Sequence, residues 1–412
     1  MANAEKTHAA LPYTADEDGM LLIGGERADD IAARFDAPVF VYDRRLIDQT
    51  VARLRACMPS DLRLHYAIKA NPFAPLLEHM AGLVDGFDVA SAGELERLSQ
   101  HPQSDLPVSF AGPGKRDSEL AAAIDAECCV NLESEGELNR LAQIARQKGR
   151  LAKAAIRINP PFELRGSGMR MGGGAKPFGI DDVDVPGLLQ SWPKDALDFQ
   201  GFQIFTGSQS LSAEALSEAH GNALRLALDC ACYAPKPAKI FNIGGGLGVP
   251  YFPGDKPVDV DAVGASLAAA MDALRDQIAE TKVVMELGRF FVAEAGVYLT
   301  RIVDKKRSRG TTFLVTEGGL HHQLAVSGNF GQVFRKNYPV ALANRFSRAE
   351  TDLETVNIVG CLCTPLDRLG DDVDLPSAQV GDIVAIFRCG AYGPTASPSG
   401  FLSHPACQEI LL

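Results

Sequence analysis

The chain has 412 residues, more than one hydrophobic core usually supports, so its length predicts two domains. A net charge of −12 at pH 7 argues against a nucleic-acid partner, because phosphates require a basic protein face. No run of about 18 apolar residues occurs and the N-terminus has no apolar core, so we expect neither a membrane span nor a signal peptide.

The first 40 residues contain one strand-like run, Met20–Ile23, and fit no clear pattern. Beyond them, short apolar runs alternate with longer helical runs such as Ser134–Gln147 and Ala213–Ala231. Eight strands alternating with helices predict a (β/α)8 barrel over residues 41–290. The eight predicted strands are Leu64–Ile68, Gly86–Ala90, Val108–Ala111, Cys128–Leu132, Ala154–Ile158, Gly201–Phe205, Lys239–Ile243 and Val283–Leu287.

After about residue 290 the pattern changes to strands separated by Gly, Pro and Asp turns, without a long helix. The predicted strands are Val292–Val303, Thr312–Thr316, Thr355–Val359 and Asp382–Arg388. We therefore expect a separate β domain, a sandwich or a barrel, over residues 291–412. Residues 1–40 are expected to pair with this domain.

The nine cysteines are scattered along the chain, with no CxxC pair and no histidines at zinc-site spacing. This pattern favours reduced thiols in a cytoplasmic protein and predicts no metal site.

Reactive and phosphate-binding residue types follow the predicted strands, where a (β/α)8 enzyme carries its chemistry. Lys69 ends the first strand, and a lysine partly withdrawn from water can form a Schiff base. From this segment alone, a lysine capping a strand at the surface is the favoured interpretation. The glycines Gly244–Gly246 and the turn Gly207–Gln209 could each close on a phosphate.

At the eighth strand, Glu286 and Arg289 could meet the two ends of one ligand, or form a local ion pair. Together these segments resemble the fold-type III decarboxylases that depend on pyridoxal 5'-phosphate (PLP), the family of diaminopimelate, ornithine and arginine decarboxylases. The resemblance extends from about Asp43 to Leu412. The matching segments are Tyr66–Asn71, Phe87–Ser91, Arg157–Pro160, Gly207–Gln209, Gly244–Gly246, Glu286–Arg289, Cys363–Asp367 and Gly390–Tyr392.

The resemblance implies an alanine racemase-like barrel, PLP as cofactor and loss of the α-carboxylate from an amino acid or an amino-acid-like substrate. Lys69 would hold PLP as a Schiff base. Glu286 would keep the pyridine nitrogen protonated, so that the ring accepts the electrons freed with CO2. Cys363 would protonate the resulting carbanion from the second subunit of a homodimer. The further PLP contacts that it implies are Asp88, Arg157, Phe205, Ser208, Gly245, Gly246, Arg289 and Tyr392.

Within the family, the chain is most similar to decarboxylases associated with exosortase A systems. Phe205–Gln209, Gly318–His322 and Pro405 carry this resemblance, which does not fix a substrate. We interpret His321 and His322 as turn or interface residues.

Two residues depart from the pattern of the wider family. Phe205 replaces a histidine that stacks on the PLP ring, so stacking remains possible but a proton or charge contact does not. Thr364 replaces an acidic residue that faces the distal ammonium of diamino acids. Thr364 and Asp367 are the candidate substrate residues.

Two other functions remain open on this scaffold. An amino-acid racemase is disfavoured because alanine racemase has an arginine at the position of Glu286, and because Cys363 is present. A non-catalytic regulator is disfavoured because such proteins usually lose the lysine or the phosphate ligands.

Overall fold

The computed structural model describes residues 7–35, 38–100, 106–330, 332, 335–347 and 353–412. These residues form two compact units. One consists of Val51–Gly248 and Val258–Gly288, and the other of Met1–Thr50, Val249–Pro257 and Arg289–Leu412. Residues 1–6 of the predicted N-terminal segment lie outside the described residues.

The first unit is a closed barrel of eight parallel strands. Each strand pairs with the next along the chain, and the eighth pairs with the first, so the sheet has no free edge. The predicted (β/α)8 barrel is thereby confirmed, with each strand within a few residues of its predicted position. The strands are Arg63–Ala67, Gly86–Val89, Val108–Phe110, Cys129–Leu132, Ala152–Asn159, Leu197–Gln203, Ile240–Asn242 and Lys282–Leu287.

Four helices of this unit begin where a serine or aspartate binds a free backbone amide. Ser91, Ser134, Ser212 and Asp259 each accept a hydrogen bond from the amide three residues further on. The helices are Arg44–Cys57, Ala74–Ala81, Ala92–Ser99, Asp117–Asp125, Glu135–Lys148, Val185–Gln190, Ala213–Ala231 and Val260–Ala273.

Two short pairings add to the barrel where its strands end. Met169–Arg170 pairs antiparallel with Gly207–Ser208, and Ile180–Asp181 extends the sheet beside the fifth strand. The segment between the fifth and sixth strands is therefore attached to the turn that follows the sixth strand.

The second unit is built on a mixed sheet of eight strands, so the predicted separate β domain is confirmed as a fold class. Val39–Tyr42 runs antiparallel to Gly296–Ser308 and parallel to Gln408–Leu411 in this sheet. The other strands are Thr311–Thr316, Val340–Leu342, Leu353–Val359, Arg368–Pro376 and Ile383–Phe387.

Smaller elements complete the second unit. Thr14–Ala15, Leu21–Ile23 and Glu26–Arg27 form a three-stranded sheet. The helices are Ala28–Phe35 and Arg289–Val292, and the 3-10 turns are Leu324–Ser327, Ala343–Arg345, Pro394–Ala396 and Phe401–Ser403.

The acidic segment Asp371–Asp374 lies within the strand Arg368–Pro376. It pairs antiparallel with Leu353–Val359. Asp372 and Asp374 are exposed while Leu375 is buried, so the strand keeps its charges on the solvent side. Backbone pairing and this alternation outweigh the low strand propensity of aspartate.

Among the described residues, no helix has both the length and the apolar character required to cross a membrane.

Candidate active site

Lys69 lies directly beyond the first barrel strand, at the end where the parallel strands terminate. The strand continues into a 3-10 turn, Ile68–Ala70, in which Ile68 and Ala70 are buried and Lys69 is exposed. The Nζ atom of Lys69 lies 5.8 Å from the centroid of the Phe205 ring. The buried neighbours fix the turn, while the amine remains accessible beside an aromatic face.

Glu286 is a buried carboxylate near the end of the eighth strand. Its Oε2 accepts hydrogen bonds from Gln203 Nε2 at 2.8 Å and from Asn242 Nδ2 at 3.0 Å. No donor among the described residues reaches Oε1. Burial, and then the charge of Asp88, raise the pKa of Glu286. A cationic ligand group facing Oε1 would stabilise the ionised carboxylate.

Asp88 lies in the second strand and is also buried. Its Oδ1 accepts the hydroxyl of Ser109 and lies 3.5 Å from His65 Nδ1. Its Oδ2 has no hydrogen-bond partner among the described residues. A buried acceptor without a partner is costly, so Oδ2 is available to a ligand.

The glycine turn after the seventh strand presents two unpaired amides. Gly244 N–H donates to Asn242 Oδ1 at 2.9 Å, whereas the buried N–H groups of Gly245 and Gly246 donate to no described residue. A Cβ atom at Gly245 would lie 2.1 Å from the Glu286 carbonyl oxygen, so only glycine fits there. Two adjacent unpaired amides suit an anion.

Ser208 adds a hydroxyl to the same region. Its Oγ is buried and has no hydrogen-bond partner in the described chain. A Cβ atom at Gly246 would come within 3.1 Å of the Gly207 carbonyl oxygen, so the two turns are adjacent. Ser208 Oγ and the two glycine amides therefore form one group of unpaired donors.

Arg157, in the fifth strand, belongs to a separate buried cluster. Its Nη1 donates to Glu133 Oε1 at 2.8 Å, and its guanidinium lies 5.1 Å from the centroid of the Phe178 ring. Glu133 also accepts from Gly179 N–H at 3.2 Å through Oε2. The predicted PLP contact of Arg157 stays a prediction, since this geometry pairs the guanidinium with Glu133.

Arg289 and Tyr392 lie together in the second unit. The Arg289 guanidinium lies 4.6 Å from the centroid of the Tyr392 ring, and its Nη1 donates to Tyr251 Oη at 3.2 Å. No carboxylate of the described residues forms an ion pair with Arg289. Tyr392 has φ +55°, a strained conformation for a non-glycine residue. An unpaired guanidinium held by two phenol rings suits an anionic ligand.

Cys363 and Thr364 lie on the loop between the strands Leu353–Val359 and Arg368–Pro376. Cys363 is exposed and Thr364 is half-buried. Thr364 Oγ1 is 3.4 Å from Leu366 N–H, which donates to it.

Asp367, at the end of this loop, is 2% exposed. Its Oδ1 accepts from Leu320 N–H at 2.6 Å and its Oδ2 from Leu362 N–H at 2.8 Å. A Cβ atom at Gly319 would lie 2.3 Å from Oδ1 of Asp367. The carboxylate therefore packs against a position where only glycine fits.

Four residues that the structure brings to the site were not predicted from the sequence: Gln203, Asn242, Glu94 and His220. Gln203 and Asn242 each end an apolar strand, which was a usable signal. Ser91 caps its helix by accepting from Glu94 N–H, and Glu94 Oε2 accepts from Ala90 N–H at 2.6 Å. Burial raises the pKa of Glu94, and the Ala90 amide and the charge of Lys69 partly offset that rise.

A barrel with an accessible lysine, a buried carboxylate and a group of anion-binding donors at one end defines an enzyme of the PLP-binding type. Comparison with known proteins agrees. The model of the "pyridoxal-dependent decarboxylase, pyridoxal binding domain" family matches residues 44–293. This chain belongs to that family of PLP-dependent decarboxylases and acts on an amino acid or an amino-acid-like substrate.

Three relatives illustrate the range of the family. The chain is 33% identical to an L-glutamyl-[BtrI acyl-carrier protein] decarboxylase of Niallia circulans, over 92% of this chain and 90% of that one. It is 28% identical to a 2-[(L-alanin-3-ylcarbamoyl)methyl]-2-hydroxybutanedioate decarboxylase of Staphylococcus aureus, over 90% and 93%. A solved diaminopimelate decarboxylase of Helicobacter pylori, complexed with L-lysine, superposes with a TM-score of 0.82 and 25% identity, covering 93% of each chain. The exosortase A assignment stays a prediction.

The described residues fit PLP. Ser208 Oγ and the amides of Gly245 and Gly246 are buried donors without acceptors, which a phosphate would satisfy. Glu286 Oε1 is an acceptor without a donor, which a protonated pyridine nitrogen would satisfy.

Proposed function

We propose that Lys69, Glu286 and Cys363 are the catalytic residues of this decarboxylase. The observation that carries the proposal is the buried carboxylate of Glu286, held on one oxygen by Gln203 and Asn242 and open on the other. A racemase benefits from a weaker electron sink, so a carboxylate at this position favours decarboxylation.

PLP, when bound, accepts the electron pair that is freed as CO2 leaves the substrate. Lys69 would hold the cofactor through Nζ and would release it to the amine of the substrate. Glu286 Oε1 would keep the proton on the pyridine nitrogen. Phe205 would pack on the ring by dispersion and hydrophobic contact and would shield that face from water. Asp88 would offer Oδ2, which has no partner among the described residues, as a hydrogen-bond acceptor for the cofactor. Arg157 would act indirectly, through its ion pair with Glu133.

Ser208 Oγ and the amides of Gly245 and Gly246 would bind the phosphate through hydrogen bonds. The family resemblance assigns Arg289 and Tyr392 as further phosphate ligands, which would add a charge-assisted contact and a hydroxyl. This set combines neutral and charged donors for a dianion.

Cys363 delivers a proton from Sγ to the substrate carbon after CO2 has left, and we propose that it does so in the site of a partner subunit. The exposure of its loop supports this assignment. Three large apolar residues of the same unit are also exposed, Leu366 at 57%, Phe401 at 44% and Leu402 at 50%. Exposed apolar side chains of this size favour a surface that is covered in a homodimer.

Mixing inactive Lys69→Ala with inactive Cys363→Ala enzyme should restore about a quarter of wild-type activity. With random exchange, half of the dimers are mixed, and each mixed dimer has one intact site of two. Activity is measured as CO2 release, and differently tagged subunits verify the heterodimer. Heterodimers that form without recovering activity would show that Lys69 and Cys363 act within one chain.

We propose a substrate whose distal group is neutral, acylated or anionic. Thr364 offers a hydroxyl but no charge, and burying an ammonium without an anionic partner is costly. Phe205 makes the surroundings of Lys69 more apolar than the histidine of the wider family would. Asp367 does not supply the missing charge in this proposal, since both of its oxygens bind backbone amides. We assign Asp367 the positioning of the Cys363 loop.

The names of two relatives support a conjugated substrate. The Niallia circulans relative acts on a glutamyl group carried by an acyl-carrier protein, and the Staphylococcus aureus relative acts on an alanine linked through a carbamoyl group. In both names the amino acid is part of a larger conjugate.

Free ornithine, lysine and meso-diaminopimelate should show kcat/KM values about 100-fold below those of matched conjugates, because a buried ammonium would lack a partner. One CO2-release assay compares these diamino acids with their N-acyl derivatives and with a glutamyl thioester. Thr364→Asp should raise kcat/KM for ornithine. A free diamino acid turned over by the wild type above roughly 10⁴ M⁻¹s⁻¹ would overturn the proposal.

We also propose a cytoplasmic location. All nine cysteines are free thiols in the structure, as expected in a reducing compartment.

A further inference from the structure

We propose that His220 is a positioning residue that sets the affinity of the glycine turn for the phosphate group of PLP. His220 lies on the helix Ala213–Ala231 and is 2% exposed. Its Nε2 lies 2.7 Å from the carbonyl oxygen of Gly245. A carbonyl can only accept, so Nε2 carries the proton and the ring is in one defined tautomer.

This hydrogen bond determines where an amide of the turn points. In a planar trans peptide, the carbonyl and the following N–H point in opposite directions. Holding the Gly245 carbonyl towards the helix therefore turns the Gly246 N–H away from it. That N–H is one of the two buried amides without an acceptor among the described residues.

The neighbouring carbonyls are tied as well. Gly244 O accepts from Glu286 N–H at 2.9 Å, and Gly246 O accepts from Ser210 N–H at 3.0 Å. Both of these contacts come from backbone groups that any sequence would supply. The Gly245 carbonyl is bound by a side chain, so its orientation depends on the identity of residue 220.

The peptide that carries the Gly245 carbonyl has a glycine on each side. It joins Gly245 to Gly246, which has φ +91°, and both residues have wide conformational freedom. Without His220, the Gly245 carbonyl would be buried without this donor, and the peptide could rotate to find another. The amide would then lose its alignment with the phosphate. His220 does not touch PLP in this proposal. Its substitution should therefore change only the affinity for the phosphate group of PLP.

The test compares two amide substitutions that differ in reach. Gln places its amide nitrogen near the position of His Nε2, whereas Asn is too short to reach the carbonyl. The full-length enzyme is freed of cofactor and titrated with PLP and with pyridoxal, which lacks the phosphate, following absorbance. We expect His220→Asn to weaken PLP binding by about 10- to 100-fold, the effect of losing one buried hydrogen bond. Pyridoxal binding should change by less than about 3-fold, and His220→Gln should retain most of the PLP affinity.

Inorganic phosphate provides a second readout that does not depend on turnover. It should compete with PLP for the wild type and for His220→Gln at similar concentrations, and about 10-fold less effectively for His220→Asn. Equal weakening of PLP and pyridoxal would overturn the proposal by showing a general loss of the site. Unchanged PLP affinity in His220→Asn would overturn it as well. If His220→Asn fails to fold, wild-type phosphate competition by a folded His220→Leu would also contradict the proposal.

Discussion

Replacing Lys69 by alanine is expected to abolish covalent attachment of PLP and to lower kcat by at least about 10³-fold, the scale on which loss of a nucleophile acts. The amine of Lys69 is accessible beyond the first strand and lies beside Phe205. The phosphate donors and Glu286 do not depend on this amine. PLP should therefore still bind, but without a covalent bond.

The measurement is borohydride reduction followed by peptide mapping, together with the rate of CO2 release. A small primary amine added to the variant should restore part of the rate by replacing the missing group. Lys153→Ala is the matched control, because Lys153 lies near the start of a barrel strand, at the opposite end from the site. A reduced adduct that maps to another lysine in Lys69→Ala would disprove the role of Lys69.

Glu286→Gln should lower kcat by about 100-fold or more while changing the affinity for PLP by less than about 3-fold. Glutamine has the same shape and can still bind Gln203 or Asn242 through its oxygen. It carries no charge, so it cannot stabilise the proton at the pyridine nitrogen. The lost interaction is strongest in the transition state, when the ring accepts electrons.

The dissociation constant for PLP and kcat are measured on the same preparation. Glu135→Gln, an exposed carboxylate on the helix after the fourth strand, is the control for loss of charge. Parallel losses of PLP affinity and rate would mean that Glu286 binds the cofactor without a specific effect on the chemical step.

The elements of the barrel could be predicted from the sequence because each strand is a short apolar run between helices. Lys69 and Glu286 could be placed at one end because parallel strands in a barrel all end there. Their chemistry could not be predicted from periodicity. It came from the order of eight short motifs, each of them weak alone.

The part of the site that could not be predicted from the sequence depends on contacts between distant segments. His220 reaches Gly245 from a helix that precedes the glycine turn in the chain, and a buried histidine in a helix is usually only a packing residue. The contacts of Asp367 could not be predicted from the sequence either. Its amide partners Leu320 and Leu362 come from two different turns, which no spacing rule connects.

The short pairing of Met169–Arg170 with Gly207–Ser208 constrains how the enzyme can be redesigned. The backbone of the segment between the fifth and sixth strands is hydrogen-bonded to the turn that carries Ser208, and Ser167 Oγ also donates to Ser208 O at 3.2 Å. Insertions or deletions there would shift the serine that is proposed to hold the phosphate. Libraries aimed at new substrates in this segment should therefore vary side chains at fixed length, and selections should include excess PLP to recover variants that bind the cofactor weakly.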